Sequence, residues 1–130
     1  MTPAAALTNS IRLACSKTGA RLFVTTVGKF WAGQCVGRLP NGDTVIRNAR
    51  IVSVGTPGQS DLGGWIPVVV TADMVGTTLA VRCDVEVKTP TDRPTPAQLA
   101  YIDAVNKSGG RAGIARSSED AVRIVRGDVT

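Results

Sequence analysis

Residues 81–88 alternate strictly in chemistry. Val81, Cys83, Val85 and Val87 fall on one face of an extended strand, and Arg82, Asp84, Glu86 and Lys88 fall on the other. Glu86 and Lys88 therefore project side by side. A second carboxylate, Asp61, closes a turn rich in Gly and Pro, Gly55-Thr56-Pro57-Gly58-Gln59-Ser60-Asp61-Leu62-Gly63-Gly64, whose residues permit unusual backbone shapes. Two carboxylates and a backbone carbonyl suit a hard cation such as Mg²⁺, which prefers oxygen ligands. Such a cation polarises a phosphodiester and lowers the pKa of a bound water. A neighbouring lysine can orient that water or stabilise charge in the transition state. Each residue also has a plainer use. The alternation fits any strand with one wet face, and Asp61 fits a turn aspartate that accepts backbone N–H bonds.

The rest of the composition narrows the chemistry. The 130-residue chain has no histidine. Ser-His-Asp and Cys-His nucleophilic catalysis, histidine bases and histidine metal sites are therefore all excluded. Cys15, Cys35 and Cys83 form no C-x-x-C pair, and an odd count argues against a disulfide framework or structural zinc. Their apolar neighbours predict buried free thiols and a reducing, cytoplasmic setting. The sequence Met1-Thr2-Pro3-Ala4 lacks the basic region of a signal peptide, and the apolar run at 66–70 is too short to span a membrane.

Charge is distributed unevenly. The net charge is +5, yet residues 1–60 carry seven basic residues against the single acid Asp43, while residues 61–130 carry eight basic residues against nine acids. A basic half beside an acid-bearing half suits a protein that grips a polyanion with one surface and works on it with another. A solvated basic surface without a partner has the same signature.

The elements that must position these residues are legible in outline. The length, with 43% hydrophobic residues, fits one globular domain over residues 1–130 with a hydrophobic core of its own. Residues 4–17 read as a helix with Leu7, Ile11 and Cys15 on one stripe. Strands are predicted at 21–26, 30–39 and 44–54, the last two joined by the hairpin signal Pro40-Asn41-Gly42-Asp43. Two more are predicted at 66–71 and 78–88, connected through 72–77. Thr95-Pro96-Ala97-Gln98 is a capping-box start for a helix that Ser108-Gly109-Gly110 stops. A short buried strand at 112–115 precedes a last helix at 121–126, with Glu119 and Asp120 in its first turn. The predicted class is α/β, a mixed sheet flanked by helices.

In order along the chain, Pro57-Gly58-Gln59-Ser60-Asp61-Leu62, Asp84-Val85-Glu86-Val87-Lys88, Thr95-Pro96-Ala97-Gln98 and the tail Gly109-Gly110-Arg111-Ala112-Gly113-Ile114-Ala115-Arg116-Ser117-Ser118-Glu119-Asp120-Ala121 resemble the VRR-NUC (virus-type replication-repair nuclease) branch of the PD-(D/E)XK nucleases. The resemblance covers about residues 5–126, and a chain of this size resembles small phage-encoded members. It implies a restriction-endonuclease-like core and a Mg²⁺- or Mn²⁺-dependent DNA endonuclease acting in DNA repair on branched DNA, such as a four-way junction or flap. It also implies roles: Asp61, Glu86 and the backbone carbonyl of Val87 as metal ligands, Lys88 on the nucleophilic water, and Gln98 beside the site. Arg116 and Arg93 would meet DNA phosphate. A symmetric junction would suit a homodimer, and for a phage protein the location would be the host cytoplasm. Many members carry an acid on the first helix, where this chain reads Thr8-Asn9-Ser10-Ile11-Arg12, and an arginine with asparagines after the first strand, where it reads Val24-Thr25-Thr26. The alternative is therefore a catalytically weak or inactive DNA-binding module of the same fold.

Overall fold

Proline at the first helical turn and a hydroxyl side chain just before it start two of the three helices. Thr2 caps α1 (Pro3–Ser16) by accepting from the Ala5 N–H, and Thr95 caps α2 (Pro96–Lys107) by accepting from the Gln98 N–H. Ser117 does the same for α3 (Ser118–Arg126), whose end is set by Gly127 at φ 78°. A computed structural model describes residues 1–128; among them five strands lie between α1 and α2, and a sixth lies between α2 and α3. The strands are β1 (Arg21–Val24), β2 (Gly28–Arg38), β3 (Thr44–Val54), β4 (Leu62–Trp65), β5 (Cys83–Val87) and β6 (Arg111–Ala115). They form three two-stranded sheets, pairing β1 with β4, β2 with β3 and β5 with β6. The chain is thus the expected mixture of helix and strand.

The chain divides into two units. The first comprises Met1–Arg21 and Gly64–Thr130; the second is Leu22–Gly63. In the first unit β5 runs parallel to β6, with Asp84 opposite Ala112 and Glu86 opposite Ile114. The buried core lies around β6: Val105 of α2, Ala112 and Ala115 of β6, and Ile124 of α3. Small residues let these elements meet closely. A Cβ on Gly110 would lie 2.6 Å from Val105 Cγ1, and one on Gly113 would lie 2.9 Å from Ile124 Cδ1. Asn106 pins the same junction, accepting from Ala112 N at 2.8 Å and donating to Ala112 O at 3.0 Å. In the second unit β2 and β3 form a long antiparallel hairpin through the expected Asn-Gly turn, with Gly42 at φ 92°.

Several expectations need correction. Residues 66–71 and 78–82 form no strand; only a short 3₁₀ turn, Ala72–Met74, interrupts an irregular segment between β4 and β5. Strand propensity without a partner ladder does not make a strand, and Pro67 removes one of the N–H donors a ladder would need. The Leu7–Ile11–Cys15 stripe is not a core face, since α1 buries none of its residues and Leu7 stays exposed. Nor are the thiols buried: Cys35 and Cys83 are exposed and Cys15 is half-buried.

Candidate active site

β5 inverts the usual strand pattern. Val87 on its apolar face is 77% exposed, whereas Asp84 and Glu86 on the polar face are half-buried beneath α2. The polar face therefore looks into the molecule. Asp84, Val85 and Glu86 together with Ala97, Gln98, Tyr101 and Ile102 line an open cavity of about 320 Å³.

Three of the expected site residues meet at one carboxylate, that of Glu86, and two of them, Glu86 and Gln98, line the cavity. Gln98 Nε2 donates to Glu86 Oε1 at 2.6 Å, and Lys88 Nζ lies 3.1 Å from the same oxygen. The Gln98 side chain has a second task, since its Oε1 accepts from Thr95 N at 2.8 Å while Thr95 Oγ1 accepts from Gln98 N. With its oxygen turned to the helix cap, the amide can face the carboxylate only with its NH₂, so the capping box fixes the donor that Glu86 meets. The bond from Lys88 N to Ala115 O at 3.0 Å extends the β5–β6 ladder past the end of β5 and holds Lys88 extended. With only 16% of its side chain exposed, the Lys88 ammonium is drawn inward toward Glu86 rather than outward to solvent.

Asp61 belongs to the other unit. Its carbonyl accepts from Thr25 N at 2.9 Å, and Thr25 Oγ1 bonds the Ser60 carbonyl. Gly55 and Gly58, both at positive φ, shape the preceding turn, and Gln59 Oε1 accepts from Thr56 N at 3.1 Å. The Asp61 carboxylate itself has no hydrogen-bond or ion-pair partner among the described residues, so its side chain does not cap the turn.

Two arginines have distinct surroundings. Arg93 is exposed and unpaired among the described residues. The Arg116 guanidinium reaches back over the turn that follows Lys88, with Nη1 donating to Thr89 O and Nη2 to Asp92 O at 2.8 Å. The Thr89 hydroxyl and backbone N–H, with lesser contributions from Lys88 and Arg116, hold the Asp92 carboxyl below its usual range.

One feature of the cavity lies beyond what the strand pattern reveals. Arg82 grips Asp84 in a fork, Nε to Oδ2 at 2.7 Å and Nη2 to Oδ1 at 2.9 Å, and Nη2 also reaches Tyr101 Oη at 3.5 Å. That carboxylate raises the Arg82 pKa further. Arg82 also lies 5.9 Å from the Trp65 ring centre, and the Trp65 and Tyr101 rings meet edge to face. Asp84, a neighbour of Glu86 on the same face, is thereby charge-compensated. The alternation places Arg82 and Asp84 on one face, but only the packing of α2 brings Tyr101 to them.

The donor chemistry fits a hard divalent cation. In the unit that contains β5, the Glu86 carboxylate and the Val87 carbonyl offer oxygen only, and among the described residues no group of three or more His, Cys, Asp or Glu forms a protein cage. Mg²⁺ commonly takes one or two carboxylates and completes its shell with water and substrate phosphate. Among the described residues no helix is long and apolar enough to cross a membrane.

Neither a curated protein nor a solved structure matches the chain. A family model does: the VRR-NUC domain aligns with residues 32–119. The alignment starts within β2, ends at the first turn of α3 and contains Asp61, Glu86, Val87, Lys88, Arg93, Gln98 and Arg116. It spans more than half of the chain and runs through both units, so the protein belongs to the VRR-NUC family, a nuclease-type DNA-processing branch of the PD-(D/E)XK superfamily.

Proposed function

We propose that this protein is a metal-dependent DNA endonuclease that hydrolyses phosphodiester bonds by attack of water. The observation that carries the reading is the convergence of Lys88 and Gln98 on one oxygen of Glu86, inside the family match. Glu86, the Val87 carbonyl and Asp61 would hold Mg²⁺ or Mn²⁺. When bound, the cation would polarise the scissile phosphodiester and acidify a water. Gln98 keeps Glu86 oriented, as partners of metal-ligating carboxylates do. Lys88, drawn to the same carboxylate, holds the attacking water by donating to it and stabilises negative charge developing on the phosphoryl oxygens. The water oxygen bonds to phosphorus as the P–O bond to the leaving oxygen breaks, and a proton lost by the water reaches that oxygen through solvent, leaving a phosphomonoester and an alcohol. Arg93 and the remaining N–H groups of Arg116 face DNA phosphates.

The substrate in this reading is branched DNA, a four-way junction or flap met in DNA repair. The chain acts as a homodimer of single-domain copies, each with its nuclease core over about residues 5–126, in the cytoplasm of a phage-infected host. A second reading, a DNA-binding module with weak or absent catalysis, is favoured by the acid-free stretch Thr8-Asn9-Ser10-Ile11-Arg12 of α1. A cleavage assay on supercoiled plasmid and a four-way junction, with Mg²⁺, Mn²⁺ or EDTA, separates the two. The nuclease reading expects cutting with either metal and none with EDTA. Salt-sensitive binding without cutting under any metal would establish the second.

A further inference from the structure

The β2–β3 hairpin contains a device that the active site does not use. Arg47 and Arg50 are three apart in sequence, which in a regular strand sends them to opposite faces. The register prevents this. Ala32 pairs with Arg50 and Gln34 with Arg47, so β3 advances three residues while β2 advances two. Because Ala32 and Gln34 share a face of β2, their partners Arg50 and Arg47 share that face too. Asn48 takes up the extra residue at φ 52°, a left-handed shape that Asn tolerates better than most side chains. Across the hairpin, a Cβ on Gly33 would lie 2.5 Å from Ile46 Cγ2 and 2.7 Å from Arg47 O, so the bulge requires glycine there. Bulges of this kind re-aim side chains.

The result is a pair of arginines on one face whose partners, the small Ala32 and the amide-bearing Gln34, stand two residues or about 6.7 Å apart along β2. Arg47 and Arg50 are exposed, and neither has an acidic partner among the described residues. The one acid of the hairpin, Asp43, sits at the turn and is bonded by Asn41 Nδ2 at 2.7 Å. Lys29 and Arg38 fall on the opposite face, Lys29 by strand alternation and Arg38 through a second register shift between Cys35 and Gly37.

We propose that the Arg47–Arg50 face of this hairpin is a DNA-backbone grip, separate from the β5 site, in which the two guanidinium groups bind successive phosphates of one strand. Only phosphate contacts are involved, so the grip adds affinity and register rather than sequence preference. The proposal rests on DNA being the substrate, but its test is independent of cleavage.

Binding of the full-length protein to a labelled DNA duplex in EDTA is followed by anisotropy over a range of salt concentrations. Each phosphate contact contributes roughly 0.9 to the slope of log K against log salt. The double variant Arg47→Gln/Arg50→Gln, two exposed polar changes that spare the core, is expected to lower that slope by about 2. The control Lys29→Gln/Arg38→Gln removes the same charge from the opposite face and is expected to change the slope by less than about half as much. An unchanged slope in the first variant, an equal loss in the control, or no salt-sensitive binding by the parent would each overturn the proposal. A parent that binds with the full slope yet never cuts with Mg²⁺ or Mn²⁺ leaves the grip intact and removes the endonuclease reading instead.

Discussion

Gln98 holds Glu86 with the one donor end of an amide whose other end is locked into the cap of α2. The 2.6 Å bond to Glu86 and the 2.8 Å bond from Thr95 N share a single side chain. The start of a helix and the orientation of a candidate metal ligand are therefore coupled.

That coupling is separable by substitution. Gln98→Glu keeps an oxygen for Thr95 N but sets a carboxylate against Glu86. Thermal stability is expected to stay close to the parent's, while activity or metal affinity falls 10- to 100-fold, as for other partners of metal ligands. Gln98→Ala removes both bonds and is expected to cost about 1 kcal/mol of stability as well. Melting curves and Mg²⁺ titrations of both variants check this. If Gln98→Glu cuts with the parent's metal dependence, Gln98 serves the helix cap alone.

Arg82 and Asp84 predict an asymmetry between two single variants. Arg82→Gln leaves a half-buried carboxylate without its partner beside Glu86, whereas Asp84→Asn leaves a guanidinium that still reaches Tyr101 and Trp65. Denaturant unfolding is expected to show a loss of about 1–2 kcal/mol for Arg82→Gln, more than for Asp84→Asn. The double variant is expected to recover part of the loss. Equal losses in the two single variants would contradict this account of the pair.

Arg116 ties the 89–92 turn to the end of β6 through two carbonyls. Lysine cannot reproduce a planar fork, so Arg116→Lys is expected to loosen that turn. Hydrogen exchange of the Asp92 amide, which donates to Thr89 O at 3.2 Å, is the direct readout. Faster exchange there, with the Val105 and Ile124 amides unchanged, is the expected pattern. Unchanged exchange at Asp92 would show that the guanidinium does not hold the turn.

Acid should weaken the start of α3. The Arg116 N–H, then the Arg123 guanidinium, hold the Asp120 carboxyl below its ordinary value of 3.8. A depressed folded-state pKa contributes stability that is present above that ordinary value and is lost as pH falls through the folded-state pKa. Melting temperatures taken downward from about pH 5 should therefore fall more steeply for the parent than for Asp120→Asn. Parallel curves would remove Asp120 from the acid response.

The polar face of β5 was legible because strand alternation has a period of two and Glu86 and Lys88 obey it. The capping box was legible because its four residues are contiguous. What escaped the sequence depends on contacts far along the chain. The polar rather than the apolar face of β5 turns inward because α2 brings Gln98 and Tyr101 over it. Residues 66–71 have the composition of a strand but no partner to pair with. The common face of Arg47 and Arg50 follows from a register shift at Asn48, which alternation counted along one strand cannot reveal.

A nuclease built on β5 requires that Glu86 and Lys88 do chemistry. Cleavage of supercoiled plasmid with Mg²⁺, compared among the parent, Glu86→Gln and Lys88→Met after circular dichroism confirms folding, tests it most directly. Cutting by the parent, loss of cutting in EDTA and a drop of about 10²- to 10³-fold in each variant are the predicted results. Variants that cut as well as the parent would contradict the assignment of the site.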